Sequence, residues 1–121
     1  MSITSSQVMN LFKELDPILH SQLRLAIVSL LMREKEADFA VLKDRTEATA
    51  GNLSVQINKL REAGYIDVTK EYKDNYPHTI CKITDAGTKA FEQYVKSLQS
   101  YLTVNPSSPA IAGSAGRGGK R

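Results

Sequence analysis

The sequence of 121 residues contains a single cysteine, Cys81, and no tryptophan. One cysteine excludes an intrachain disulfide and any zinc site built from several cysteines. The two histidines, His20 and His78, are far apart and near no carboxylate cluster, so we expect no metal site. The sequence also lacks a glycine-rich phosphate loop and a nucleophile–base–acid arrangement, and we therefore expect neither an enzyme nor a bound cofactor.

Long hydrophobic runs are also missing. No apolar stretch approaches the roughly 20 residues that a membrane span needs. The first residues, MSITSSQVMNLFKELD, are polar and amphipathic, unlike the apolar segment of a signal peptide. We therefore expect a cytoplasmic protein without membrane contact, and its length suits one domain.

Most of the chain has no excess of charge of one sign. The formal net charge is +3, but the tail beyond Leu102 holds three basic residues and no acid. Taking those three from the 16 basic residues leaves 13, against 13 acidic residues. Bulk charge is therefore no argument for nucleic-acid binding. The tail is rich in Pro, Ser, Gly and Ala, so residues 1–102 are predicted to form the domain and residues 103–121 a disordered basic tail.

Apolar residues at helical spacing predict three helices in the first half, at about Ser5–Leu15, Ser21–Arg33 and Ala40–Glu47. The second of these, with Ser21 as its candidate cap, is the most hydrophobic and should form the centre of the core. Glu34–Asp38 is interpreted as a polar connection.

The next stretch, TEATAGNLSVQINKLREAGYI, predicts a helix of about Ala50–Ala63 with Thr49 as a candidate cap. Leu53, Ile57 and Leu60 recur at positions i, i+4 and i+7 and define its inward face. Gly64 is a typical left-handed helix stop.

From Tyr65 the apolar period changes to two, which indicates a strand. Ile80–Ile83 is the second predicted strand, and the turn-rich residues between 73 and 78 predict a longer, polar hairpin tip. Thr84 or Asp85 then starts a last helix, which ends at about Tyr101.

This order predicts a mainly α fold with a small β-hairpin, a winged helix-turn-helix with additional N- and C-terminal dimerisation helices. The two terminal helices are amphipathic, and together they offer more apolar surface than one small core needs, so we expect a homodimer. The expected interface residues are Leu11, Phe12, Phe91, Tyr94, Val95 and Leu98.

The outward face of the helix around residues 50–63 is predicted to enter the major groove of duplex DNA, with the hairpin of about residues 65–83 beside it. Asparagine can pair bidentately with adenine, valine can touch a thymine methyl, and basic side chains neutralise phosphates. The candidate contacts are Thr49, Gly51, Asn52, Ser54, Val55, Asn58, Lys59 and Arg61 on the helix, with Lys70 and Lys73 on the hairpin.

The residues from about Leu15 to Leu98 resemble the small winged-helix transcriptional regulators related to the MarR family. The resemblance rests on HSQLRLAIVSLL, on TAGNLSVQINKLREAGYI, on the polar hairpin and on ITDAGTKAF, in this order. It implies a DNA-binding homodimer whose first and last helices form the interface. It also implies that Asn52, Leu53, Ser54 and Lys59 belong to the recognition-helix pattern.

The same resemblance implies that Thr84 caps the last helix and that Gly87 permits close packing. One departure is the hairpin KEYKDNYPHT, which lacks the arginine that larger MarR proteins often carry there and offers only Lys73 instead. The chain is also shorter than those proteins, which leaves less room for a ligand pocket, and a small-molecule effector stays an open alternative.

Two other interpretations stay open. A winged helix can serve protein–protein contact without specific DNA binding, which the neutral charge of the body permits. Cys81 could sense oxidants, although its parity with Ile83 favours burial as a small hydrophobe.

Overall fold

The computed structural model describes residues 15–103. Four helices and three strands lie in this part of the chain, and they are numbered in chain order. The helices are α1 (Gln22–Glu34), α2 (Phe39–Thr46), α3 (Ala50–Glu62) and α4 (Asp85–Thr103), and the strands are β1 (Glu36–Asp38), β2 (Ile66–Lys73) and β3 (Tyr76–Ile83).

The predicted first helix and the predicted basic tail lie outside the described residues, apart from Leu15 and Thr103. Backbone contacts define one compact unit from Asp16 to Tyr94. Leu15 and the last turns of α4 lie outside this unit. None of the helices described here is long and apolar enough to cross a bilayer.

Short polar side chains start the first three helices, because each accepts a hydrogen bond from a backbone amide of the first turn. Ser21 accepts from Arg24 in α1, as the sequence predicts. Asp38 accepts from the amides of Ala40 and Val41 at the start of α2, at 2.7 and 3.4 Å.

The sheet has three antiparallel strands in the order β1-β3-β2. The sequence interpretation of Glu34–Asp38 as a polar connection was therefore incomplete, because Glu36–Asp38 forms β1 and Ala37 pairs with Cys81 of β3. The segment has three residues and no β-branched or aromatic side chain, so its strand character comes from pairing with β3 rather than from local preference.

The hairpin is tighter than the sequence predicted. Lys73 and Tyr76 form the last pair of the ladder, so Asp74 and Asn75 alone make the turn. Both have positive φ, 53° and 67°, as the two central residues of a type I′ turn require. Asp and Asn tolerate this conformation, and β3 therefore starts at Tyr76 rather than at Ile80.

The core of the Asp16–Tyr94 unit is apolar and closed to solvent. Ile27 and Leu31 of α1 have no exposed surface, and neither have Leu42 of α2 and Leu53 of α3. Ile66 closes the core from β2 with 1% exposure. Burial of these side chains holds α2 and α3 on α1, which fixes the orientation of the helix pair.

Candidate nucleic-acid interface

The turn between α2 and α3 is short and held by side-chain hydrogen bonds. Glu47 ends α2 in the left-handed conformation, with φ 60°. The Thr46 hydroxyl donates to the Leu42 carbonyl at 2.7 Å, and Thr49 Oγ1 accepts from the Asn52 amide at 3.1 Å. Thr49 is thus the cap that the sequence predicts, and the two helices form a helix-turn-helix pair.

Helix α3 has one buried and one solvent-facing side. Leu53, Ile57 and Leu60 are at most 4% exposed, which confirms the predicted inward face. Val55 lies on the opposite side and keeps 49% of its surface exposed, a high value for an aliphatic residue.

The ten predicted DNA contacts are all exposed, as contact would require. Asn58 lies in the middle of the α3 face and accepts a hydrogen bond from Arg61 at 3.3 Å. Contact with DNA stays a prediction for each of the ten. An uncharged open cleft of 270 Å³ borders the first turn of α3 and is lined by Gln22, Leu23, Ala26, Thr46, Ala48 and Asn52.

Two polar residues beside this face were missed by the sequence analysis. Gln56 Nε2 donates to Asn52 Oδ1 at 2.9 Å, and an Arg24 guanidinium nitrogen donates to Gln56 Oε1 at 2.5 Å. The i, i+4 spacing of Asn52 and Gln56 could have indicated the first bond. The second joins α1 to α3 across 32 positions, and no local signal in the sequence reports it.

The other end of α3 is fixed to the sheet and to α4. Gly64 adopts φ +82°, and its carbonyl accepts a hydrogen bond from the Thr84 hydroxyl at 2.7 Å. Thr84 Oγ1 also accepts from the Gly87 amide at 3.0 Å, which caps α4. A Cβ atom on Gly87 would lie 2.1 Å from the Tyr65 carbonyl oxygen, so the close packing that the resemblance implied is confirmed.

Tyr65 and Asp16 connect this junction to the turn before α1. The Tyr65 hydroxyl donates to Asp16 Oδ2, while Asp16 Oδ1 accepts from the Ile18 amide at 2.7 Å. Burial and the neighbouring Asp16 carboxylate raise the pKa of Tyr65 to about 12. Tyr65 therefore stays protonated and donates this hydrogen bond throughout the physiological pH range.

The hairpin does not bring its two predicted contacts to the same face. Side chains alternate along a strand, so Lys70 and Lys73, three positions apart, lie on opposite faces of β2. Tyr72 and Tyr76 are 77% and 69% exposed, and they flank the turn. A duplex that lies against one face of the hairpin can therefore meet only one of the two lysines.

A sequence model described as a winged helix DNA-binding domain matches residues 23–102. The chain belongs to this winged helix family. The match covers the helix-turn-helix pair, the hairpin that is its wing, and nearly all of α4.

The protein is also similar to known relatives. MJ0432 of Methanocaldococcus jannaschii, described as uncharacterized, is 35% identical over 78 residues, which are 64% of this chain and 85% of that protein. A structure described as a transcriptional regulator homologue from Pyrococcus horikoshii OT3 is 26% identical, with a TM-score of 0.73 over 81% of this chain and 95% of that one. The crystal structure of MarR has a TM-score of 0.64 at 16% identity, over 80% of this chain and 70% of that one. The MarR-like fold that the sequence resemblance implied is confirmed.

In this winged helix the wing is also tied to the start of α2. His78 Nδ1 on β3 lies 2.9 Å from Asp38 Oδ2, the second oxygen of the residue that caps α2. This hydrogen bond is the main reason why the pKa of Asp38 lies below its ordinary value, and the bonds from Ala40 and Val41 lower it further, against the opposing effect of burial.

The predicted dimer residues of the winged helix divide into three groups. Leu11 and Phe12 lie outside the described residues. Phe91, Val95 and Leu98 on α4 are partly exposed in the single chain, whereas Tyr94 is only 5% exposed and its hydroxyl lies 3.0 Å from His20 Nδ1. Dimerisation through these residues stays a prediction.

Cys81 has no exposed surface, and burial raises the pKa of its thiol to about 11, with a smaller contribution from Asp38. The sequence prediction that it is buried as a small hydrophobe is confirmed.

Proposed function

We propose that this winged helix protein is a transcriptional regulator that binds duplex DNA as a homodimer. In this proposal α3 enters the major groove and the wing lies beside it. The observation that carries the proposal is the outward face of α3, an exposed polar surface on a helix that is fixed at both ends. Membership of the family of winged helix DNA-binding domains supports it.

The chemistry of this face suits DNA. Asn58 offers amide groups to base edges, and Lys59 offers a cation to phosphates. Val55 gives an apolar contact of the kind that a thymine methyl accepts. The similar structure from Pyrococcus horikoshii is that of a transcriptional regulator homologue, which agrees with a regulatory role for this chain.

The test is binding to genomic fragments selected with the protein, measured at several salt concentrations. Asn58→Ala should weaken binding by about 1–3 kcal/mol at the preferred site, because a base contact is lost. Lys59→Ala should weaken binding to all sequences and reduce the salt slope by about 1, because one phosphate contact is lost. Lys89→Ala on α4 removes the same charge away from α3 and serves as the matched control.

Unchanged binding in both α3 variants would remove α3 as the DNA-contacting element. No duplex binding at low salt, together with a stable complex with another protein, would instead support the protein–protein module.

A further inference from the structure

The side chain of Arg24 starts a chain of hydrogen bonds with a fixed direction. Its Nε donates to the Ile18 carbonyl at 2.6 Å, and its Nη1 donates to Gln56 Oε1 at 2.5 Å. A guanidinium group has only donors, so Gln56 must turn its oxygen towards Arg24. The amide nitrogen of Gln56 is thereby directed to the other side.

That nitrogen reaches the first turn of α3. Gln56 Nε2 donates to Asn52 Oδ1 at 2.9 Å, so the oxygen of Asn52 is turned towards Gln56 and its Nδ2 group away from it. The orientation of an amide side chain is normally decided only by its hydrogen-bond partners. Here Arg24 decides the orientation of both amides, because reversing either one would place two donors or two acceptors face to face.

The hydrogen bonds from Arg24 to Gln56 and from Gln56 to Asn52 form a relay. We propose that this relay presents Asn52 to DNA as a hydrogen-bond donor, which selects acceptor atoms at the position that Asn52 contacts. This proposal rests on the proposed function and deepens it. The acceptor is a phosphate oxygen or a base edge such as guanine O6 and N7 or thymine O4. A bidentate contact to adenine needs the amide oxygen as well, and that oxygen is turned to Gln56.

In this arrangement Arg24 and Gln56 are positioning residues. Asn52 is exposed, Gln56 is half-buried beside it, and the Asn52 backbone amide is held by Thr49. The backbone amide and the side-chain oxygen of Asn52 are therefore both held before DNA arrives, which reduces the entropy lost on binding.

The relay is tested first without DNA, by NMR of the full chain. The side-chain amide protons of Gln56 should exchange slowly and shift in Asn52→Ala, while those of Asn52 should exchange quickly. In Arg24→Met the fixed orientation of both amide groups should be lost, and the side-chain amide protons of Gln56 should then exchange quickly as well. Fast exchange at Gln56 in the unsubstituted protein would overturn the relay, whatever the protein binds.

The second test reverses the direction of the relay. Gln56→Glu has only acceptors at this side chain, so Asn52 can bond to it only by donating and must then expose its oxygen. We expect affinity for the preferred duplex to fall about tenfold or more, because an acceptor then faces an acceptor. Ala50→Glu adds the same charge to the exposed first turn of α3, outside the relay and outside the predicted DNA contacts, and it is the matched control.

Binding-site selection with each variant separates the two sources of acceptor. With a base contact, Gln56→Glu shifts the preference at one base pair from guanine or thymine towards adenine or cytosine, whose exocyclic amines donate in the major groove, and Arg24→Met relaxes it. With a phosphate contact, Gln56→Glu weakens binding to all duplex sequences equally. Either result, beyond the effect of Ala50→Glu and with an unchanged circular dichroism spectrum, supports the proposal.

Equal affinities and identical selected sites for Gln56→Glu and Ala50→Glu would overturn the proposal. If the unsubstituted chain binds no duplex, the proposed function and the DNA contact of Asn52 both fail, and the NMR result alone reports whether the relay exists.

Discussion

Asp38 makes two different contacts with its two carboxylate oxygens. Oδ1 caps α2 through the amides of Ala40 and Val41, and Oδ2 bonds to His78 on the wing. One side chain therefore connects the start of the helix-turn-helix pair to β3. Removing it affects both elements, and a substitution that keeps only the cap can separate the two contributions.

Asp38→Ala should lower the free energy of unfolding by about 1–2 kcal/mol through loss of the cap. Asp38→Asn should cost less, because asparagine also caps helices; the loss that remains in this variant reports the bond to His78, and the difference between the two variants reports the cap. Urea unfolding measures both. An unchanged stability in Asp38→Asn would contradict a separate contribution from His78, and equal losses in the two variants would contradict the cap.

The same carboxylate predicts a pH dependence. The pKa of Asp38 is lowered in the folded protein, so its stabilisation is complete above its unfolded value of 3.8 and is lost as the pH falls through the lower folded pKa. Unfolding free energies measured between about pH 5 and about pH 2 should therefore fall less steeply in Asp38→Asn. Parallel pH profiles would contradict this.

Cys81 should be unreactive in the folded protein. Raising the pKa of the thiol from 9.0 to about 11 lowers the thiolate fraction near neutral pH by about a hundredfold, and burial restricts access as well. Labelling with a disulfide reagent should therefore be at least a hundredfold slower in the native protein than in denaturant. Equal rates would restore the interpretation of Cys81 as an oxidant sensor.

At the scale of elements, two glycines near the ends of helices have opposite surroundings. A Cβ atom at Gly51, in the first turn of α3, would meet nothing within 4 Å. At Gly87, in the first turn of α4, it would lie 2.1 Å from the Tyr65 carbonyl oxygen and 3.0 Å from Ile83 Cδ1. The first glycine leaves open the surface that we propose faces DNA, and the second allows α4 to approach the start of the wing.

Gly87→Ala should therefore destabilise the protein by about 1–3 kcal/mol, because backbone must move. Gly51→Ala is the matched control and should stabilise it by about 0.5 kcal/mol through helix preference. Thermal unfolding measures both. Gly51→Ala should also weaken DNA binding if the added methyl group separates α3 from the backbone of the duplex, and a stabilising Gly87→Ala would contradict the contact with Tyr65.

Much of the element structure could be predicted from the sequence because its causes are local. The caps Ser21 and Thr49 act within three residues, and the buried row of α3 follows from helical spacing. Strand β1 could not be predicted in this way, since it exists only through pairing with β3. The tight turn at Asp74 and Asn75 was within reach, because an Asp-Asn pair suits two positive φ angles.

At the scale of the whole molecule, dimerisation decides whether two copies of α3 can face one duplex. Phe91, Val95 and Leu98 share one side of α4 by their i, i+4, i+7 spacing and are partly exposed. We expect the protein to sediment as a dimer at micromolar concentration. Leu98→Glu should shift it to a monomer, because an unpaired carboxylate would be buried at the interface.

Lys96→Glu lies on the exposed side of the same helix and should leave the dimer intact. A monomer in the unsubstituted protein, or dissociation by both variants alike, would contradict an interface built on this stripe.

The sequence by itself determined the helix-turn-helix pair, the Thr49 cap and the inward face of α3, because periodicity and capping act over a few residues. It also indicated which α3 residues are exposed. Only the tertiary structure decided how the Asn52 and Gln56 side chains are oriented, since Arg24 contacts Gln56 across 32 positions. It also decided how the wing is joined to the start of α2, since Asp38 contacts His78 across 40 positions. Contacts at such separations depend on how the helices and strands pack, and no local pattern in the chain encodes them.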